Sequence, residues 1–438
     1  MSAKNKFQTL TGMHDVLPED QVIFKKVQKA VESVSNYYSF QKIETPILED
    51  AEVFSKAVGL DTDIVGKEMY TFRTKGGDMV ALRPEGTAPI MRSYIEHGMH
   101  NLPQPVKLWY MGPFFRYERP QAGRFRQFHQ FGFEAIGEQN PSIDSQIIQM
   151  SYDVLKELAF KNITVEVNSI GDSECRPYFK KILTSYFKSK KSSLCPDCQR
   201  RLKENPLRIL DCKEEKCQRV KAGAPQIIDH LCENCHAHFK QVLEFLDELE
   251  LPYTLNPYLV RGLDYYTKTV FEIVENGEDG KSLGTLIGGG RYDNLSKMLG
   301  GHDSPACGAA GGIERIVTLI KARAVTGAPK ATDEPRIFLA QLGQLAKRKS
   351  MKLFEEFRAA KIPVSESFSK DSLKTQLRSA NKLGIRWVLI FGQKEALEDF
   401  ITLRDMDTGV QKEIKLDEVV EEMKEKVKKE KEEEKLKK

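Results

Sequence analysis

The chain has 438 residues, 40% hydrophobic and 30% charged, enough for two or three domains around a large core and too much for a peptide-like module. No apolar run approaches the ~20 residues that span a bilayer and no basic-plus-apolar leader opens the chain, so a soluble cytoplasmic protein with no membrane partner is expected. The 67 basic and 63 acidic side chains leave a net charge of +4, which confines any nucleic-acid contact to local patches.

Val22, Ile23, Val27, Ala30, Val31, Val34, Tyr37 and Tyr38 recur near helical spacing behind Pro18 and Asp20, and predict an amphipathic helix over 21–38. Phe40 to Glu49 follows as an extended segment, where Pro46 argues for an edge or irregular strand. Arg83-Pro84-Glu85-Gly86-Thr87 then precedes a helical run with Pro89, Ile90, Met91, Tyr94 and Ile95. Glu85 and Thr87 are thereby set at a helix entrance.

Between Phe114 and Glu134 four arginines, Arg116, Arg119, Arg124 and Arg126, stand between two aromatic-rich runs, with Pro120 and Gly123 where the chain turns. The pattern predicts an anion-binding hairpin. Along the returning strand Gln130, Gly132 and Glu134 share one face, and Phe131 and Phe133 the other. Glycine inside a strand usually marks a close approach to the backbone, so a small polar ligand is expected between Gln130 and Glu134, its phosphates held by the arginines.

A helix is predicted over 144–160 and an alternating strand over 163–168. From about 172 to 250, Lys/Glu-rich helical segments broken by cysteine pairs read as an insertion. Six of the eight cysteines lie there, as Cys195/Cys198, Cys212/Cys217 and Cys232/Cys235, while Cys175 and Cys307 stand alone. Two such pairs can form a tetrahedral thiolate site for structural Zn²⁺. Whether metal binds, and through which two pairs, stays open at this level.

Strand patterns resume at Tyr253 and run through Arg261-Gly262-Leu263-Asp264-Tyr265-Tyr266, 270–273 and 286–293, and a helix starts near Gly312 with Glu314 and Arg315. Gly288-Gly289-Gly290 lacks the Gly-Lys-Ser/Thr ending of a phosphate loop, and a simple turn is the alternative. The segments flanking the insertion predict one mostly antiparallel sheet with helices, an α+β pattern over 1–323. Residues 324–335 have linker composition. Beyond them, strands at 337–339, 388–391 and 400–403 alternate with helices at 345–360 and 372–382, a small α/β domain over 336–424 with a largely parallel sheet. The Lys/Glu-rich tail, 425–438, reads as a solvated, fraying helix.

Together these segments resemble the histidyl-tRNA synthetases, a family of class II aminoacyl-tRNA synthetases. Ile43 to Glu49 is similar to motif 1 of that class, Arg116 to Glu118 with the Arg119 to Arg126 loop to motif 2, and Gly312-Ile313-Glu314-Arg315 to motif 3. The segments at Arg261 to Tyr266, Gly289 to Asp293 and Arg83 to Thr87 resemble stretches peculiar to the histidine enzymes. The resemblance implies a class II antiparallel sheet with flanking helices, a helical insertion, and a C-terminal α/β anticodon-binding domain. It implies a ligase that joins L-histidine and ATP, with Mg²⁺, into histidyl-adenylate and passes histidine to tRNA(His).

By the same resemblance Glu85, Thr87 and Gln130 take the amino group, Glu134 and Tyr265 the imidazole, and Tyr266 lies beside them or in the core. Arg116 and Arg261 act at the α-phosphate, Arg261 also holding the attacking carboxylate, and Arg315 clamps the distal phosphates. Arg119, Gln121, Arg124 and Arg126 are candidates for tRNA contact, against solvated surface for Arg119 and Arg124. Lys370 to Lys374 and Arg378 are candidates in the anticodon domain. Motif 1 implies a homodimer. One departure is noted: Ala309 and Gly311 stand where the family commonly has bulkier residues, which predicts looser packing there. The alternative, a catalytically silent histidine-sensing regulatory relative, would be expected to lack the catalytic arginines and the C-terminal domain.

Overall fold

The computed structural model describes residues 7–59, 62, 64–120, 123–277, 282–323, 336–367 and 372–436. Gln121, the 324–335 segment and Lys370-Asp371 therefore lie outside the described residues. The chain divides into two compact units, 1–328 and 329–438.

In the first unit α1 (Pro18–Tyr37) leads to β1 (Gln41–Lys42), then β2 (Leu48–Asp50), α2 (Ala51–Val58), β3 (Tyr70–Arg73), β4 (Met79–Leu82) and α3 (Thr87–Glu96). A long hairpin, β5 (Val106–Phe115) and β6 (Gln127–Ile136), is followed by α4 (Pro141–Glu157) and β7 (Ile163–Ser169). The insertion carries α5 (Arg176–Ser189), α6 (Pro196–Glu204), α7 (Glu215–Lys221) and α8 (Glu233–Glu248). The unit closes with β8 (Tyr253–Leu255), β9 (Thr267–Asn276), β10 (Ser282–Arg291), α9 (Leu295–Met298), β11 (Ala306–Gly312) and α10 (Ile313–Arg323).

Eight strands form one sheet in the order β1-β5-β6-β11-β10-β9-β7-β8. Its interior is antiparallel, and the two short end strands pair parallel to their neighbours. Alternation along β6 decides what each face does. Phe131 and Phe133 point into a core built with Val27 and Val31 of α1, Ile147 of α4 and Ile316 of α10. The opposite face carries Gln130, Gly132 and Glu134, and it is the face left for a site.

The extended segment after α1 behaves as Pro46 requires, because only Gln41 and Lys42 pair at the sheet edge. The chain then leaves for a separate three-stranded sheet, β2-β4-β3. One local expectation is overturned, and one alternative gives way to the strand that was read. Arg261 to Tyr266 is irregular backbone, tied to the end of α2 by Asp264 N–H to the Val58 carbonyl at 3.1 Å; this frees Tyr265 and Tyr266 from strand alternation, and both are buried. Gly288 to Gly290 form no turn and sit inside β10, opposite Gly308 to Ala310 of β11.

The second unit contains β12 (Ile337–Gln341), α11 (Gln344–Ala359), β13 (Val364–Glu366), α12 (Leu373–Lys382), β14 (Trp387–Phe391), α13 (Gln393–Leu397), β15 (Phe400–Asp405), β16 (Gln411–Lys415) and α14 (Val419–Leu436). Its sheet runs β13-β12-β14-β15-β16. Only the first three strands are parallel, so the expected largely parallel sheet is half antiparallel. The reason is the short connection from β15 to β16, which admits a hairpin and no crossover. Val419, Met423 and Val427 of α14 pack into the core of this unit.

Candidate active site

Gly86 stands at the start of α3 without a side chain to cap it. Glu85 does the capping instead, accepting the Thr87 and Ala88 N–H groups at 2.7 and 2.9 Å. Helix N-termini favour such an anion. Burial pushes the Glu85 carboxyl up from its ordinary value, opposed by those two N–H donors and by Arg116. The Thr87 hydroxyl donates to Glu134 at 2.8 Å, and the Tyr292 hydroxyl donates to the other Glu134 oxygen. Burial drives the Glu134 carboxyl up to about 8 against these two donors, with Glu85 adding repulsion. The Tyr265 hydroxyl reaches Glu85 at 3.4 Å. Glu85, Thr87, Glu134 and Tyr265 thus form one connected polar floor.

The close approach expected at Gly132 is made by the protein itself. A Cβ there would lie 2.5 Å from the Tyr110 ring, and one at Gly86 would lie 2.4 Å from the same ring. Tyr110 therefore fills the gap between Gln130 and Glu134 that was expected to hold a ligand, and any ligand must lie above it. Its buried hydroxyl has no hydrogen-bond partner among the described residues. Gly308 serves a similar purpose, since a Cβ would sit 1.8 Å from a Glu134 oxygen. Gly311 does not loosen the packing as expected, because Phe131 and Ile287 occupy the space its side chain would take.

Above this floor the arginines converge on a cleft of about 740 Å³ lined by Arg116, Arg124, Arg261, Arg315, Gln130 and Glu314, among others. Arg116 is aimed by its Nε–H to the Pro84 carbonyl at 2.8 Å and lies over the Phe128 ring at 5.3 Å. Arg261 pairs with Glu272 of β9, while its buried Nε has no partner among the described residues. Gly288 makes room for it: a Cβ there would lie 2.3 Å from the guanidinium. Arg315 donates to the Thr285 carbonyl at 2.8 Å. Burial lowers its pKa, and Arg124 adds like-charge repulsion. Of the loop arginines, Arg119 is exposed, Arg124 reaches Glu118 at 3.2 Å, and Arg126 stacks on Tyr117 with its guanidinium 3.8 Å from the ring.

The insertion supplies one wall of the same cleft through Arg201, Arg208, Asp211 and Lys213. Arg208 donates to the Arg261 carbonyl at 3.2 Å, and Asn205 to Asp264 at 3.1 Å. Just behind that wall Cys195, Cys198, Cys212 and Cys217 are all buried, their sulfurs within 4.8 Å of one another. The third pair, Cys232/Cys235, stands elsewhere and meets Cys175 and Asp172. Cys175 is therefore not alone, contrary to the sequence reading.

Sequence reasoning singled out neither Tyr110, Tyr292 nor Glu272 as a site residue. Tyr292 lay within a quoted motif, and the glycine at position 132 was the signal for Tyr110. Arg291, in the same motif, is structural. It is fully buried and pairs with Asp144 of α4, to which His238 of α8 also turns at 3.4 Å.

An antiparallel sheet flanked by helices, with a buried carboxylate floor beneath convergent arginines, defines a class II aminoacyl-tRNA synthetase. The family model described as Histidyl-tRNA synthetase matches residues 12–175 and 192–316, and one described as Anticodon binding domain matches 337–426. A histidine–tRNA ligase of Dehalococcoides mccartyi strain BAV1 is 45% identical over 421 residues, covering 96% of this chain and all of the relative. One from Syntrophotalea carbinolica is 45% identical over 408 residues, 93% of this chain and 96% of the relative. The crystal structure of apo histidyl-tRNA synthetase from S. aureus superposes with a TM-score of 0.78 at 34% identity, covering 95% of this chain and all of that one. The chain belongs to the histidyl-tRNA synthetase family. The silent regulatory alternative gains no support from these relatives. No helix among the described residues is long and apolar enough to cross a membrane.

Proposed function

We propose that this chain activates L-histidine with ATP and transfers it to the 3′ end of tRNA(His), acting as a histidine–tRNA ligase in the cytoplasm. The observation that carries the residue assignments is the Glu85–Thr87–Glu134 floor lying beneath Arg116, Arg261 and Arg315. Glu85, Thr87 and Gln130 receive the ammonium, and Glu134 and Tyr265 the imidazole, with Tyr266 packing beside Arg261. An apolar side chain of similar size would leave these buried acceptors unmatched, at a cost of several kcal/mol.

ATP is taken as its Mg²⁺ complex. A histidine carboxylate oxygen attacks the α-phosphorus, a new O–P bond forms, and the bond to the bridging oxygen breaks to release pyrophosphate. No protein nucleophile is needed, so catalysis consists of alignment and charge stabilisation. Arg116 and Arg261 meet the charge at the α-phosphate, and Glu272 holds Arg261 in place. Arg315 takes the distal phosphates. The terminal ribose hydroxyl of tRNA then attacks the acyl carbon and AMP leaves. Arg119, Arg124 and Arg126 face the tRNA from the hairpin loop.

Two assembly features belong to the same reading. Exposed Ile47, Leu48, Phe72 and Met79 on and beside the small β2-β4-β3 sheet support a homodimer through this face, which sedimentation would test. The Cys195, Cys198, Cys212 and Cys217 cluster supports one structural Zn²⁺. A tetrahedral ion with Zn–S bonds of 2.3 Å sets sulfurs about 3.8 Å apart, and Cys195 and Cys212 stand at 3.9 Å. An iron–sulfur cluster would hold its cysteines farther apart.

The test is histidine-dependent ATP–pyrophosphate exchange across all twenty amino acids. Exchange with histidine alone is expected, and Arg261→Ala should lose about 10²–10³-fold, the scale for one removed charge-stabilising donor. Exchange by wild type with another amino acid, or none at all, would sink the reading.

A further inference from the structure

We infer that a second Zn²⁺ is bound at the neck of the insertion by Asp172, Cys175, Cys232 and Cys235, independently of the ion assigned to the four-cysteine cluster. One ligand atom from each of these residues lies within 4.8 Å of the others. Three sulfurs and one carboxylate oxygen are a tetrahedral donor set suited to this ion, and bonds of about 2.0–2.3 Å require only a small contraction from that spacing.

The backbone is arranged around this set. Gly171 has φ +63°, and a Cβ on it would lie 2.4 Å from the Cys175 sulfur. Residue 171 thus needs both the left-handed conformation and the absence of a side chain for that sulfur to fit. The Asp172 N–H points at the same sulfur at 3.4 Å, and the Glu174 N–H holds an Asp172 oxygen at 2.9 Å. On the other side Cys232 occupies the N-cap position of α8 and Cys235 sits in its first turn, so one helix start presents both sulfurs to the same point.

Competing uses of these residues leave something unexplained. A Cys232–Cys235 disulfide would leave the Cys175 sulfur and the Asp172 carboxylate, 3.7 Å apart, gathered beside it without a purpose. Ordinary core cysteines would have no reason to gather three sulfurs round one half-buried carboxylate. The buried Arg176 is close enough to feel the charge of Asp172, Cys175 and Cys235. It balances the excess negative charge that three thiolates and a carboxylate leave on a divalent ion.

The position gives the ion a task. Asp172 and Cys175 lie where the chain enters the insertion, and Cys232 and Cys235 where it begins to return, so the ion closes a long loop at its base. The same neck is joined to the catalytic sheet. Gly171 and Lys268 are hydrogen-bonded through Lys268 N–H to the Gly171 carbonyl at 2.8 Å, and Arg176 donates to the Tyr266 carbonyl at 2.5 Å.

The test is metal analysis of the full-length, untagged chain. Two zinc ions per chain are expected, falling to one in Cys232→Ser/Cys235→Ser and to one in Cys195→Ser/Cys198→Ser. One zinc in the wild type, or two retained in Cys232→Ser/Cys235→Ser, would overturn the second site while leaving the first standing. Should either variant fail to fold, X-ray absorption at the zinc edge of the unaltered chain decides: between three and four sulfurs per zinc with a minor oxygen shell is expected, and four sulfurs alone refutes Asp172 as a ligand.

Discussion

The floor of the cleft and the inserted segment both gather ionisable side chains, but the floor meets its carboxylates mostly with hydrogen-bond donors and the insertion meets its thiols mostly with other thiols. Glu85 is satisfied by the helix it caps and Glu134 by Thr87 and Tyr292, and outside the floor, in the same catalytic sheet unit, Asp144 is paired with Arg291. Each carboxylate was desolvated together with a matching donor. The insertion gathers four buried thiols in one place and three thiols with a carboxylate in another, and these groups mostly face one another. Alike groups stabilise each other poorly, and the proposed Zn²⁺ ions would complete them. One region is preorganised by register; on the proposed reading the other is organised by metal.

Withdrawing the proposed zinc tests this contrast with the largest effect. Structural zinc sites in small domains carry apparent free energies on the order of 10 kcal/mol, so chelation should abolish hydrogen-exchange protection over 176–248 while β5, β6 and β11 stay protected. Equal protection in both regions with and without chelator would break the comparison. Asp144→Ala probes the self-sufficient side. It removes the closer of two carboxylates from the fully buried Arg291 guanidinium, leaving Asp293 at 3.1 Å and the Glu138 and Asn140 carbonyls, so the loss falls at the lower end of the about 3–5 kcal/mol that breaking a buried pair costs. Urea unfolding should show a loss of that size, and a loss below 1 kcal/mol would mean that water reaches Arg291. Burial alone would raise the Asp144 pKa, but Arg291 and His238 hold it down at about 2. A depressed folded-state pKa gives stability that is present above pH ~4 and lost as the pH falls toward 2.

What could be read before the structure follows the same divide. Arg83 to Thr87, Arg116, Arg261 and Glu314-Arg315 could be singled out because each lies in a contiguous segment that resembles a family motif. Tyr110 was missed because its role depends on register: it faces Gly132 across the β5·β6 ladder, and nothing near position 110 announces that. Tyr292 and Glu134 are 158 positions apart, and Cys175 reaches Cys232 and Cys235 only across the whole insertion. Pair spacing identified the cysteines, while the choice of which pairs combine belonged to the fold of α5 to α8. The antiparallel β16 escaped notice because its residues are polar, with Ile414 alone buried among the five.

A smaller effect tests how closely the floor is packed. Gly132→Ala puts a methyl group 2.5 Å from the Tyr110 ring. Overpacking of this kind costs about 1–3 kcal/mol, and the displaced ring should raise the KM for histidine more than it lowers the turnover. An unchanged KM would mean that Tyr110 gives way toward solvent and does not shape the pocket.

The smallest effect is also the most direct measure of the floor's electrostatics. Glu134 has a folded-state pKa of about 8, raised by burial from an ordinary 4.5, so at neutral pH the folded, ligand-free chain holds a proton there that the unfolded chain has released. A raised folded-state pKa contributes stability that is complete below pH ~4.5 and declines as the pH rises through 8. Between pH 7 and pH 8 the expected loss is about 1 kcal/mol by this linkage. Glu134→Gln removes the titration, so its urea midpoint should be flatter across that interval than the wild type's. Histidine sharpens the point, because an imidazole N–H donating to Glu134 favours the ionised carboxylate. Saturating histidine should then release the proton near pH 7, detectable as a dependence of the calorimetric binding heat on the buffer's ionisation enthalpy that Glu134→Gln lacks. If wild type and variant show the same buffer dependence and the same pH slope, Glu134 is already ionised in the free pocket, its hydroxyl donors outweighing the burial that raises it.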